Sequence, residues 1–72
     1  MFGTKQGKQQ RLDQIVGLLE KHPGGLSQSE IARRLRVERS TVHRDLTVLE
    51  ARGVLLAEDP RGHVSVFRRL FG

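Results

Sequence analysis

Five arginines fall between positions 33 and 44: Arg33, Arg34, Arg36, Arg39 and Arg44, with Glu38 as the one acidic residue among them. Guanidinium groups at that density suit phosphate oxygens and the hydrogen-bonding edges of guanine, so the chemistry on offer is recognition of an anion. A solvated basic surface would give the same count. Other chemistries find little support. His22, His43 and His63 lie about twenty residues apart on three different segments, without a His-x-x-x-His spacing. No nucleophile has a neighbouring base, and Gly24-Gly25 follows no strand, so it is not a phosphate-cradling loop. No catalytic residue, metal ligand or cofactor is expected, and the chain is not expected to be an enzyme.

The whole chain has 72 residues and a net charge of +5, with no Cys, Trp or Tyr. Its basic charge is clustered. Residues 1–11 and 61–72 each carry +3 and residues 33–44 carry +4, whereas residues 12–32 and 45–60 are acidic. A domain of this size buries only about 60% of its unfolded surface, and without cysteine it has no disulfide to help. No apolar run reaches the roughly 20 residues needed to span a bilayer, and the N-terminus lacks a secretory apolar region, so a cytoplasmic protein is expected.

The elements that must position these groups follow from periodicity. Residues 1–7, with Gly3 and Gly7, read as a flexible tail, and residues 8–70 as one domain. From Lys8 to His22, Leu12, Ile15, Val16 and Leu19 take helical spacing, and Pro23-Gly24-Gly25 stops the helix. Leu26 is an isolated apolar anchor. Ser27-Gln28-Ser29-Glu30 matches a capping box that starts a short helix ending near Leu35 or Arg36. A third helix covers about 39–52, with Val42, Leu46 and Leu49 as its inner stripe and Gly53 as its left-handed stop. The connection of about three residues forces a sharp crossing of helices two and three. Val54–Ala57 and His63–Phe67 then read as two strands around an Asp59-Pro60-Arg61-Gly62 type I turn. The fold class is α+β, mainly α: three helices followed by a two-stranded β-hairpin wing.

Thr41-Val42-His43-Arg44-Asp45-Leu46, continuing through Leu49-Glu50 to Gly53 and Leu55, resembles the winged helix-turn-helix of DeoR-type bacterial regulators. Glu30-Ile31-Ala32-Arg33-Arg34-Leu35 is similar to their second helix. The resemblance covers about residues 10–57, and the hairpin extends it to Phe67. It implies a winged-helix fold that binds duplex DNA in transcription regulation. The sequence departs from the family pattern at Glu38, where a capping Ser is usual, and at Arg36, where the turn glycine is usual. The effector-binding domain of those regulators is absent from these residues, so no small-molecule ligand is implied.

Projected on a helical wheel, Ser40, Arg44, Thr47 and Ala51 face away from the inner stripe, with Arg39 and His43 on one flank. Base readout in the major groove is therefore assigned to Ser40, His43, Arg44 and Thr47, with Arg44 placed for guanine. Ser27, Gln28 and Ser29 at the second helix N-terminus, together with Arg33, Arg36, Arg39 and Thr41, are assigned to the DNA backbone. Arg61 and His63 are the wing candidates, although Glu58 and Asp59 beside them would repel phosphate. Asp45 is expected to be a structural partner for Arg33, Arg34 or Arg52. Leu18, Val48, Leu56, Phe67, Leu70 and Phe71 could form a homodimer contact or cap a small core. The alternative function is a winged-helix protein–protein interaction module within a larger complex. A left-handed duplex reader is disfavoured by the lack of Asn, Tyr and Trp.

Overall fold

The computed structural model describes residues 5–69, and side chains from Gly7 to Phe67. Leu70 and Phe71, most of the expected tail, and the side chains of Lys5, Arg68 and Arg69 lie outside the described residues. Helix α1 spans Lys5–Glu20, starting three residues before the sequence expectation. The segment 5–10 carries no apolar residue, so periodicity could not find this turn. The Gln9 amide donates to Asp13 Oδ1 at 3.1 Å, an i, i+4 bond that supports it. The helix ends at Glu20, and His22 beyond it donates from Nδ1 to the Leu18 carbonyl at 2.9 Å.

Leu26 and Ser27 form a short strand β1, which pairs with His63 and Val64. The expected hairpin, strands β2 (Val54–Glu58) and β3 (His63–Arg69), is therefore the larger part of a three-stranded antiparallel sheet of order β1-β3-β2. Gly25 makes the approach possible. It has φ +88°, and a Cβ there would lie 2.9 Å from the Val64 carbonyl oxygen. Helix α2, Gln28–Leu35, follows at once. Ser27 Oγ accepts from the Glu30 N–H and Glu30 Oε1 accepts from the Ser27 N–H, each at 3.1 Å, completing the capping box. That Ser27 N–H is the main reason the Glu30 carboxyl titrates below the usual glutamate range.

Arg36 closes α2 in the left-handed conformation, with φ 59° and ψ 43°, and the Val37 N–H returns to the Ala32 carbonyl at 3.0 Å. Helix α3 then runs Arg39–Ala51 from an N-cap Glu38 that makes no side-chain cap bond. Gly53 follows with φ 93°. Strands β2 (Val54–Glu58) and β3 (His63–Arg69) enclose the turn, where the Gly62 N–H donates to the Asp59 carbonyl at 2.9 Å. Gly62 has φ 83°, so the turn ends in a left-handed glycine. Leu55 pairs with Arg68 and Leu56 with Val66, which leaves Phe67 as the extra residue of a bulge and 73% exposed.

One core joins these layers. Leu12, Ile15, Val16 and Leu19 of α1 meet Ile31 and Ala32 of α2, Val42, Leu46 and Leu49 of α3, and Leu26, Val54 and Val64 of the sheet. Leu18, Val48 and Leu56 pack against it from the edge. The core also contains Asp45, only 2% exposed. Its partner is Arg11 of α1, not Arg33, Arg34 or Arg52. Arg11 Nε donates to Asp45 Oδ2 and Nη2 donates to Oδ1 at 3.1 Å. The expected arginines are near Asp45 in sequence, but Asp45 points inward while Arg33, Arg34 and Arg52 are exposed. The hydrogen bond to Asp45 stabilises the charged Arg11 guanidinium and raises its pKa further.

Candidate nucleic-acid interface

Helix α3 sorts its side chains by face. Val42, Asp45, Leu46 and Leu49 are buried, whereas Arg39, Ser40, His43, Arg44 and Thr47 are all exposed. The N-terminal half of the exposed face forms one wall of an open cleft of about 430 Å³, lined by Gln28, Arg39, Ser40, His43 and Arg44. Gln28 at the start of α2 and Arg39 and Ser40 at the start of α3 line the same cleft. The first turns of both helices therefore contribute to this cleft. No carboxylate lines this cleft. Asp45, the nearest acidic neighbour of Arg44, has turned into the core. The Arg44 side chain makes no hydrogen bond or ion pair among the described residues.

Thr47 stands one turn further on, in a different cleft between α3 and the sheet. Gln28, His43, Leu46, Thr47, Glu50, Leu56, Ala57, Glu58 and Val64 line it. Its two glutamates make it unlike the first. The Thr47 hydroxyl donates to the His43 carbonyl at 3.2 Å, which leaves its oxygen as an acceptor only. The four residues assigned to base readout therefore divide between an acid-free cleft and an acidic one, with His43 on both.

The remaining residues separate further. Gln28 lines both clefts, and Ser29 is exposed in the first turn of α2. Ser27 Oγ is taken up by the Glu30 N–H, so this serine is a cap. Arg33, Arg36 and Arg39 are exposed, and Thr41 is half-buried. In the wing, Arg61 pairs with Asp59 at 3.3 Å. Asp59 Oδ1 also accepts from the Arg61 and His63 N–H groups, both at 2.9 Å. These bonds, the His63 N–H first, hold the Asp59 carboxyl below its usual range. His63 stands back from the tip, half-buried, with its Cα opposite Ser27.

Sequence reasoning missed one set of residues: the bonds that fix α3 against α1. Besides the Arg11–Asp45 pair, Arg52 Nη1 donates to Gln9 Oε1 at 2.6 Å. A signal for the first was present. Asp45 lies three residues after Val42 and four before Leu49, on the apolar stripe itself, where a carboxylate demands a partner.

Among the described residues no group of three or more His, Cys, Asp or Glu side chains is placed to hold a metal ion. Nor is any helix there long and apolar enough to cross a membrane.

The sequence has relatives. Over 52 residues, 72% of the chain, it is 44% identical to a protein of Mycobacterium tuberculosis named HTH-type transcriptional regulator Rv1719. The chain spans 20% of that relative's length. The profile of the helix-turn-helix family described as "HTH domain" matches residues 11–64, from the arginine that pairs with Asp45 to the first buried residue of β3. With three quarters of its length covered by that profile, the chain belongs to the helix-turn-helix domain family.

Proposed function

We propose that the chain is a duplex-DNA-binding module of a transcription regulator, with α3 in the major groove. The observation that carries this reading is the acid-free cleft lined by the first turns of α2 and α3, where the Arg39 and Arg44 side chains are exposed and have no partner among the described residues. A major groove about 12 Å wide admits a helix, and the first two turns of α3 present the groups that meet base edges. Arg44 is the guanine reader, through O6 and N7. Ser40 and His43 are adaptable contacts beside it, and Thr47 lies at the far limit of the readable face. Gln28, Ser29, Arg33, Arg36 and Arg39 hold phosphates. Arg36 adds support of its own: a non-glycine residue in the left-handed region is strained, and glycine would remove the strain but not provide the guanidinium.

Arg61 is a minor contributor in this reading because Asp59 engages it. The DeoR-type likeness of α3 is the proposed subtype. A single module buries roughly 600–1,000 Å² on DNA and binds weakly, so the working unit is a homodimer or a longer chain. A two-fold dimer would set its α3 helices about 34 Å apart. The name of the mycobacterial relative agrees with a regulatory role.

The test is a salt titration of binding to random-sequence duplex DNA. Log K should fall linearly with log salt, at about 0.9 per phosphate contact. No binding at low salt, or a flat slope, rejects the reading in favour of a protein-interaction module.

A further inference from the structure

The apolar contacts of α3 are not directional. Val42, Leu46 and Leu49 would remain buried if the helix rolled slightly or slid along its axis, because burial depends on area and not on bearing. Directional polar bonds also hold α3, and two of them come from one turn of α1. Arg11 grips both carboxylate oxygens of Asp45, a residue 34 positions away. Gln9, two positions earlier, accepts from Arg52 just past the end of α3, 43 positions away. The first bond holds the middle of the helix and the second holds its end. Two attachments at separate heights define both roll and translation, which a single one does not.

Asp45 is the neighbour of Arg44 in sequence. Whatever sets the Asp45 side chain therefore sets the direction of Arg44 on the opposite face. A guanidinium fork on a carboxylate has narrow geometry, unlike a point charge. We infer that Arg11 and Gln9 are positioning residues for sequence recognition: they touch no DNA, and they aim Arg44 by locking α3 against α1. The inference rests on the DNA-binding reading, and it adds that selectivity resides partly in a helix remote from the groove.

The experiment compares two duplexes, one selected from a random pool by the unaltered chain and one of random sequence. The variants are the paired replacement Arg11→Met with Asp45→Leu, and separately Gln9→Ala. The paired replacement removes the directional fork while keeping the site filled by apolar groups, an exchange that buried ion pairs often tolerate. Gln9→Ala is at an exposed position and leaves the net charge unchanged. Circular dichroism and a cooperative melt establish folding.

The expected result is that both variants bind random duplex as the unaltered chain does, with the same salt slope. The ratio of selected to random affinity should fall about tenfold in the paired variant, the order of one lost bidentate base contact. It should fall about two- to threefold in Gln9→Ala, an exposed bond of smaller worth. An unchanged ratio in either folded variant overturns the inference. If the unaltered chain fails to bind random duplex at low salt, it is the DNA-binding reading itself that fails.

Discussion

Arg44 and Arg61 each stand within two positions of an aspartate, and the two neighbourhoods are built in opposite ways. On α3, Asp45 points into the core, where Arg11 of another helix neutralises it, and the Arg44 side chain is left exposed and without a partner among the described residues. At the wing, Asp59 stays on the surface and engages Arg61 itself. The first arrangement links residues 34 positions apart and stabilises the fold; the second spans two positions and shapes a turn. An arginine count cannot distinguish them. Whether an arginine is available to a partner depends on where the nearest carboxylate finds its counter-charge.

The largest effect should come from the buried half of this comparison. Arg11→Ala leaves Asp45 buried without its counter-charge, which costs about 3–5 kcal/mol. That is most of the stability of a small domain, and urea denaturation should find the variant largely unfolded. Asp45→Ala should cost less, about 1–3 kcal/mol, because the Arg11 side chain is 28% exposed and can turn to water. Equal losses in the two variants would mean that burial of the carboxylate is not what makes the pair necessary.

Asp59→Asn tests the other half. Asn keeps an oxygen for the Arg61 and His63 N–H groups while removing the charge that holds the Arg61 side chain. Affinity for random duplex should rise severalfold at low salt, and the salt slope should steepen by about 0.9 as one phosphate contact is added. No change would show that Arg61 was not restrained by Asp59.

Acid offers the same release without mutation. The Asp59 and Glu30 carboxyls titrate below their ordinary ranges because backbone N–H groups favour their charged forms. A depressed folded pKa stabilises the fold above the unfolded value, and the contribution is lost as pH falls through the folded one. The turn and the α2 cap should therefore hold through the range where free carboxylates titrate and loosen below it. Amide exchange at Ser27, Arg61 and His63 should report this loosening together.

Arg36→Gly should have the smallest effect on stability. Glycine relieves the left-handed strain but gives the unfolded chain more freedom, so the net change lies between zero and a gain of about 1 kcal/mol. The salt slope should nevertheless decrease by about 0.9 if Arg36 holds a phosphate. A variant that is no less stable and binds less well separates function from folding.

Where the sequence was legible, the determinant was local. Ser27 and Glu30 are three residues apart, the Asp59 turn spans four, and the α3 stripe repeats within one helix. Each could be read from a short window. β1 could not: two residues carry no period, and the pairing of Leu26 with Val64 crosses nearly forty positions. The start of α1 at Lys5 was hidden because that turn buries nothing that alternates. The exposed face of α3 was visible as the complement of its apolar stripe. The freedom of its N-terminal half from carboxylates was not, because that depends on Arg11, a residue grouped by charge with the N-terminal tail. The engagement of Arg61 by Asp59 was only half visible, since the two are close in sequence but the bond depends on the turn that joins them.

The central claim is that Arg44, left unpaired by the inward turn of Asp45, reads the base sequence. Arg44→Ala measures it most directly, with binding to a selected duplex and to random duplex compared at one salt concentration. The account predicts that discrimination falls by about 1–3 kcal/mol, with relaxed preference at one base pair of the selected sequence and much smaller loss on random duplex. Equal selectivity with and without the Arg44 guanidinium would contradict it.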